Sequence, residues 1–266
     1  ARHVVGYMGD GINDVTALKA ADVGISVENG VPVAKDAADI ILLEKSLTSL
    51  KDGIEEGRKT FQNTLKYIMM WLSSNFGNMF SMMGASVFLP FLPMTPQQIL
   101  LNNFLYDSAQ VGLPTDQVDP EDTRRPPRWN LKNIRRFMFI FGPISSIFDF
   151  ATFGTLLYVF HLSEKQFQTG WFLESLATQV LVIYLIRTKK IPFFRSRPSL
   201  FLLGNTAVVL LIGWGVALSP LGSIFGFEPL PLPIFLAIIG IILAYLVLVE
   251  VAKRLFHRII AGESEN

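Results

Sequence analysis

Over the first 46 residues, short apolar runs alternate with short mixed ones. Residues 3–8, 23–27 and 39–43 have the length and β-branched content of strands. Between them, residues 9–14 turn into a helix that runs through Ala21, and 32–38 read as a second helix. Strands alternating with helices predict a parallel, doubly wound α/β sheet. Ligands of such sheets sit at the carboxyl ends of the strands, and Asp10 lies at one of these ends.

From residue 47 the period becomes helical. The pattern is charged and amphipathic to Lys66, through Lys51, Glu55, Glu56, Arg58 and Lys59, and then apolar over 67–89. No proline marks the junction. One helix of ~40 residues would be ~60 Å long and would couple a cytosolic domain to a bilayer; two helices hinged near Gly57 are the alternative. Six apolar segments follow, at 67–91, 97–115, 137–160, 171–187, 199–219 and 230–253, each near or above the ~20 residues a bilayer requires. The second is the least apolar. It carries Asn102, Asn103, Asp107 and Gln110 and is broken by Gly112-Leu113-Pro114. The expected organisation is an α/β segment at 1–46, a stalk helix at 47–66, an all-α six-helix transmembrane bundle at 67–260 and a tail at 261–266.

Charge orients the bundle. Arg124, Arg125, Arg128, Lys132, Arg135 and Arg136 lie in 116–136, Arg187, Lys189, Lys190, Arg195 and Arg197 in 187–198, and Lys253, Arg254 and Arg258 at the end. The alternate loops 91–98 and 219–233 hold no Lys or Arg, and 161–170 holds only Lys165. The positive-inside rule then puts both ends of the bundle in the cytosol. Composition agrees: the 266 residues are 50% hydrophobic, with mean hydropathy +0.40, too apolar for an ordinary soluble domain. A net charge of +1, with the basic residues in short loops, excludes a nucleic-acid-binding face. The absence of cysteine excludes disulfides and thiolate metal sites. The start, Ala1-Arg2-His3-Val4, has neither Met nor signal-peptide features and runs straight into a strand, as the interior of a longer chain does.

The candidate chemistry begins at Gly9-Asp10-Gly11-Ile12-Asn13-Asp14. Gly9 and Gly11 permit a sharp turn and close approach to a ligand. Asp10 and Asp14 could hold Mg²⁺, one directly and one through water. Asn13 could donate to a phosphoryl oxygen, and phosphoryl transfer is mainly positioning and charge neutralisation. A capping turn rich in Asp and Asn is the structural alternative.

This motif, with Ala17-Leu18-Lys19 and Val23-Gly24-Ile25 after it, resembles the hinge motif of P-type ATPases, which are haloacid-dehalogenase-like phosphotransferases. Glu55-Glu56-Gly57-Arg58 and Ser73-Ser74-Asn75-Phe76-Gly77-Asn78 are similar to the same family, and the likeness covers nearly the whole chain. Leu89-Pro90-Phe91-Leu92-Pro93-Met94, Asn103-Phe104-Leu105-Tyr106-Asp107 and the run from Phe141 to Asp149 resemble its bacterial magnesium-transporting members most. The resemblance implies ATP-driven Mg²⁺ import through an aspartyl phosphate in a bacterial inner membrane. Asp10 and Asp14 would bind catalytic Mg²⁺, and Asn13 would contact the aspartyl phosphate. The family's Asp-Lys-Thr-Gly-Thr nucleophile segment, its ATP-binding domain, its Thr-Gly-Glu-Ser loop and its first four membrane helices are not in this sequence. The chain is therefore expected to act with the missing N-terminal part of the same pump, and not to hydrolyse ATP alone.

Polar groups at bilayer depth are expensive, and ionisable ones are functional candidates. Asn75 and Asn78, three apart, share one helix face, and Asn103 and Asp107, four apart, share another. Their oxygens suit a hard cation, whereas the structural alternative is helix–helix hydrogen bonding worth ~0.6 kcal/mol on average. The resemblance puts these residues in the family's transport site. Calcium pumps carry Glu where Asn78 stands and Thr before the Asp where Tyr106 stands, so calcium is disfavoured. Asp149, in mid-span, needs a partner or must be neutral. Glu174, read as solvated near the outer end of its span, and Gln179 are further coupling candidates. Glu250 is expected to pair with Lys253 or Arg254, and Trp71, Trp171 and Trp214 to act as anchors. The competing readings are a proton or calcium pump, a tethered phosphatase domain, and a non-catalytic membrane subunit.

Overall fold

The computed structural model describes residues 3–44, 46–124 and 126–264. Arg125 of the basic loop, Ala1 and Arg2 at the start, and 265–266 of the tail lie outside the described residues. Two compact units divide the chain, Ala1–Lys59 and Thr60–Asn266.

In the first unit, β1 (Gly6–Met8), β2 (Val23–Val27) and β3 (Ile40–Leu42) form a parallel sheet in that order. The helices α1 (Val15–Ala20) and α2 (Pro32–Ala37) connect them. The first strand begins three residues later than the apolar run suggests. The segment before it is held at Val5, whose N–H donates to the Asp22 carboxylate at 3.0 Å and whose carbonyl accepts from Asp22 N at 3.0 Å and Val23 N at 3.2 Å. At Gly24 a Cβ would meet the Leu18 carbonyl at 2.7 Å, so glycine is what allows α1 to pack onto β2. Leu18, Ile25, Val27 and Ala34 form the buried interior of this unit.

The helix α3 (Leu47–Phe88) is 42 residues long and runs unbroken through Gly57. Within the second unit follow α4 (Pro96–Gln110), the short α5 (Pro120–Thr123), α6 (Leu131–Gly154), α7 (Glu164–Ile186), α8 (Leu200–Leu218) and α9 (Leu232–Ser264). The starts are written in the sequence. Thr95 caps α4 in a reciprocal box with Gln98, and Ser163 and Ser199 cap α7 and α8 by accepting from Gln166 N and Leu202 N. Four stretches among the described residues are long and apolar enough to cross a membrane: Leu131–Val159, Glu164–Ile186, Leu200–Leu218 and Leu232–Arg258. The helix α4 has 15 residues and stops at Gln110, before the Gly112–Pro114 break.

Two boundaries correct the sequence reading. The helix α6 starts six residues before the expected span. The helix α7 starts seven residues before, because Ser163 caps a polar first turn that reads as loop. Unlike α8 and α9, which turn Leu211, Ile212, Leu243 and Val247 outward, α7 is buried along nearly its whole length. The helices α3 and α6 approach at small residues: a Cβ on Gly77 would lie 3.0 Å from the Gly142 carbonyl, and the Ser146 hydroxyl bonds the Gly77 carbonyl at 3.0 Å.

Candidate functional site

In the first unit the chain leaves β1 at Gly9. Gly9 N donates to the Ile25 carbonyl at 3.0 Å, and the Asp10 carbonyl accepts from Val31 N at 2.9 Å. The Asp10 backbone is thus fixed on both sides at the carboxyl end of a strand, with its side chain exposed. The Asp14 carboxylate folds back under this turn. It accepts from Gly11 N at 2.9 Å, Asp10 N at 3.1 Å and the Tyr7 hydroxyl at 2.9 Å. A Cβ at Gly9 would lie 2.4 Å from that of Asp14, so only glycine fits there. The Gly11 amide, then the Tyr7 hydroxyl and the Asp10 amide, hold Asp14 below the usual carboxylate range, and the same bond raises Tyr7. Asn13 is exposed beside them. Among the described residues, no three His, Cys, Asp or Glu side chains gather into a metal-binding group. Asp10 and Asp14 are a pair.

The expected ion-path residues are divided. Asn75 is exposed and donates to the Trp71 carbonyl at 2.8 Å, while Asn78 is half-buried and accepts from the Gln179 amide at 3.4 Å. Asn103 and Asp107 are exposed; Asn102, Tyr106 and Gln110 occupy the buried face of α4. On that face Asn102 Oδ1 and both polar atoms of Gln110 have no hydrogen-bond partner among the described residues. This three-residue stripe was visible in the sequence only as low apolarity.

Asp149 and Glu174 do come together, whereas Gln179 joins Asn78. Asp149 is 3% exposed and accepts from the Ser81 hydroxyl of α3 at 2.6 Å and the Trp171 indole of α7 at 2.7 Å. Glu174 is 1% exposed and interacts directly with Asp149. It is not solvated as expected, because the early start of α7 puts it mid-helix. Trp171 anchors inside the bundle, buried and donating its indole N–H to Asp149. Gln179 donates also to the Ser175 hydroxyl at 2.7 Å.

A second buried network was missed. Arg187, at the end of α7, donates to Asp116 Oδ2 at 2.6 Å, to the Ser196 carbonyl and hydroxyl at 3.2 Å, and to the Gln117 and Arg197 carbonyls at 3.2 and 3.0 Å. Those bonds occupy the whole guanidinium. Asn63 of α3 donates to the Asp116 carbonyl at 3.0 Å, and Lys66 to Asn63 Oδ1 at 3.1 Å. In sequence, Arg187 reads only as one of several loop charges. Glu250 pairs with both Lys253 and Arg254, as its spacing predicts.

Residues 91–255 match the family model described as cation transporting ATPase, C-terminus, and residues 3–54 match that of haloacid dehalogenase-like hydrolases. The chain is 50% identical over 260 residues to a magnesium-transporting ATPase, P-type 1, of Salmonella typhimurium and to its namesake in Escherichia coli. It is 29% identical over 232 residues to a calcium-transporting ATPase of Bacillus subtilis. The alignments to the magnesium-transporting relatives cover 96% of this chain and 29% of each relative; the calcium-transporting alignment covers 84% and 26%.

Proposed function

The chain belongs to the cation-transporting ATPases, and from that premise we propose that it supplies the C-terminal part of a magnesium pump. This pump couples ATP hydrolysis, through an aspartyl phosphate, to Mg²⁺ import across a bacterial inner membrane. The observation that carries the reading is the 50% identity to magnesium-transporting relatives over 96% of the chain, against 29% identity to the calcium-transporting one. In this reading the first unit is the end of a Rossmann-type phosphorylation domain. Residues 47–66 are a stalk, and six helices cross the bilayer with both ends cytoplasmic. The two spans beyond the four long apolar ones are the later half of α3 and α4, whose lower apolarity comes from the groups that handle the ion.

Asp10 and Asp14 suit the catalytic Mg²⁺. This ion keeps several waters and takes one or two carboxylates beside phosphate oxygens. Asp10 would hold it from the strand end. Asp14, kept ionised by the loop amides, has one acceptor position beyond its three bonds, enough for an ion-bound water. Gly9 and Gly11 keep side chains out of the phosphate's way, and exposed Asn13 would donate to a phosphoryl oxygen. Bound there, the ion neutralises charge on the transferring group. ATP binds to a domain outside this sequence, and this chain alone would not turn it over.

For the transported ion, Asn75, Asn78, Asn103 and Asp107 supply oxygen ligands with a single carboxylate among them, which fits a cation that retains part of its water shell. Exposure of Asn75, Asn103 and Asp107 fits a face covered by other membrane helices of the pump. Asp107→Ala in the complete pump tests this. Mg²⁺ uptake is expected to disappear while phosphorylation from ATP persists. Uptake at unchanged ion affinity would remove Asp107 from the path, and ATPase activity stimulated by Ca²⁺ or H⁺ instead of Mg²⁺ would change the ion.

A further inference from the structure

The phenol of Tyr7 hangs from β1, just ahead of the glycine that opens the loop of Asp10 and Asp14. Its backbone is fixed in the sheet, in parallel register with Gly24 of β2. The side chain is half-buried, and its hydroxyl donates to Asp14 Oδ1 at 2.9 Å. This bond ties the 3₁₀ turn Ile12–Asp14 back to the strand.

The two oxygens of Asp14 are used differently. Oδ2 takes both loop amides, Gly11 N at 2.9 Å and Asp10 N at 3.1 Å. An ionised carboxylate has about four lone-pair positions, shared equally between its oxygens, so Oδ2 is fully used. Whatever Asp14 offers to an ion or its water leaves through Oδ1. Gly9 lies flat against the stem of the side chain: a Cβ there would meet Asp14 Cβ at 2.4 Å and Cγ at 2.6 Å. The stem and Oδ2 are thus located by the backbone. The plane of the carboxylate is not, because the terminal torsion of Asp is broad. Loop amides hold one end of that plane, and the Tyr7 hydroxyl holds the other.

We propose that Tyr7 is a positioning residue for the catalytic Mg²⁺: it fixes the plane of the Asp14 carboxylate, aims the remaining lone pair of Oδ1 at an ion-bound water, and so favours Mg²⁺ over Ca²⁺. This rests on the reading of Asp10 and Asp14 as the residues that hold that ion. The selectivity follows from rigidity. Mg²⁺ demands a near-ideal octahedron and keeps several waters, whereas Ca²⁺ accepts about six to eight oxygens in flexible geometry. A carboxylate free to turn therefore costs Mg²⁺ more than it costs Ca²⁺.

The test uses the complete pump carrying Asp107→Ala, which removes the transported ion. Bound Mn²⁺ is followed by electron paramagnetic resonance, with Mg²⁺ and Ca²⁺ as competitors, and Asp10→Asn identifies the catalytic share. Tyr7→Phe keeps the ring and removes only the hydroxyl. It should weaken Mg²⁺ binding about 10–100-fold, the usual effect of a group that orients a metal ligand. Ca²⁺ binding should weaken less, and the thermal midpoint should stay where it was. Phosphorylation by inorganic phosphate should need correspondingly more Mg²⁺ and reach the same plateau. 4-Aminophenylalanine at position 7 returns a donor and should return the Mg²⁺ affinity. Unchanged Mg²⁺ binding in Tyr7→Phe overturns the proposal. An equal loss of both ions with a lowered thermal midpoint also overturns it, because that marks a damaged fold. If Tyr7→Phe does not fold, 4-aminophenylalanine decides: Mg²⁺ affinity and preference as in the unmodified pump support the proposal, and weakened Mg²⁺ binding overturns it. If Asp10→Asn displaces no Mn²⁺, the catalytic-ion reading itself falls and takes the proposal with it.

Discussion

The chain contains two pairs of carboxylates, Asp10 with Asp14 and Asp149 with Glu174, and their surroundings are opposite. In the first pair water is at hand and the backbone supplies the stabilisation: two amides and a phenol turn towards Asp14, and the carboxylate stays ionised. The second pair is buried, and two neutral side chains, the Ser81 hydroxyl and the Trp171 indole, donate to Asp149. The same residue types therefore meet different surroundings. The first pair lies open to solvent, and the second is closed within the bundle. A third carboxylate, Asp116, gives the remaining solution, because it is fully buried and faces Arg187.

The comparison can be broken most sharply at Asp116. Arg187→Met keeps the bulk of the side chain but leaves the buried carboxylate with Lys66, 3.9 Å away, as its remaining cation. It should destabilise the bundle by about 3–5 kcal/mol, seen as a lowered thermal midpoint in detergent. A smaller loss would mean that Asp116 reaches water. Trp171→Phe removes one neutral donor from Asp149 while keeping an aromatic ring against Phe153. Its expected cost is about 1–3 kcal/mol, that of an unsatisfied buried acceptor. If Trp171→Phe proves harmless, the indole is only packing. The smallest effect belongs to the wet pair. Asp14 titrates below the ordinary Asp value of 3.8. Its contribution to stability is present above that value and disappears as pH falls through its own lower midpoint. With isotope-labelled aspartate followed by NMR, Tyr7→Phe should move the Asp14 midpoint upward, towards 3.8, and leave thermal stability at neutral pH nearly unchanged.

Much of this is legible in the sequence, for identifiable reasons. The strands and helices of the first unit announce themselves by a change of period. The loop chemistry is local: Gly9, Asp10, Gly11 and Asp14 act on one another within six residues. The bundle is legible as apolar length but not as partnership. Nothing in the sequence says that Asp149 meets Ser81, 68 residues earlier, or that Arg187 meets Asp116, 71 residues earlier. Asn75 and Asn78 share a face by spacing, yet they differ in exposure, because a 60° step on a helix is enough to cross from a neighbour to the outside. The polar first turn of α7 reads as loop, and that one error carried Glu174 to the wrong depth.

The burial of α7 has a consequence for how the protein is made. A helix studded with Glu174, Gln179, Ser175 and Thr178 is a poor tenant of lipid, and its most extensive packing is with α9, which leaves the ribosome after it. Asp116 is already present when Arg187 emerges, but Ser196 and Arg197 are not. Until α9 arrives, α7 is a half-wrapped, degradable segment. Cellular quality control would then sense the arrival of α9, and a chain stopped before residue 232 should be cleared although α7 itself has been synthesised.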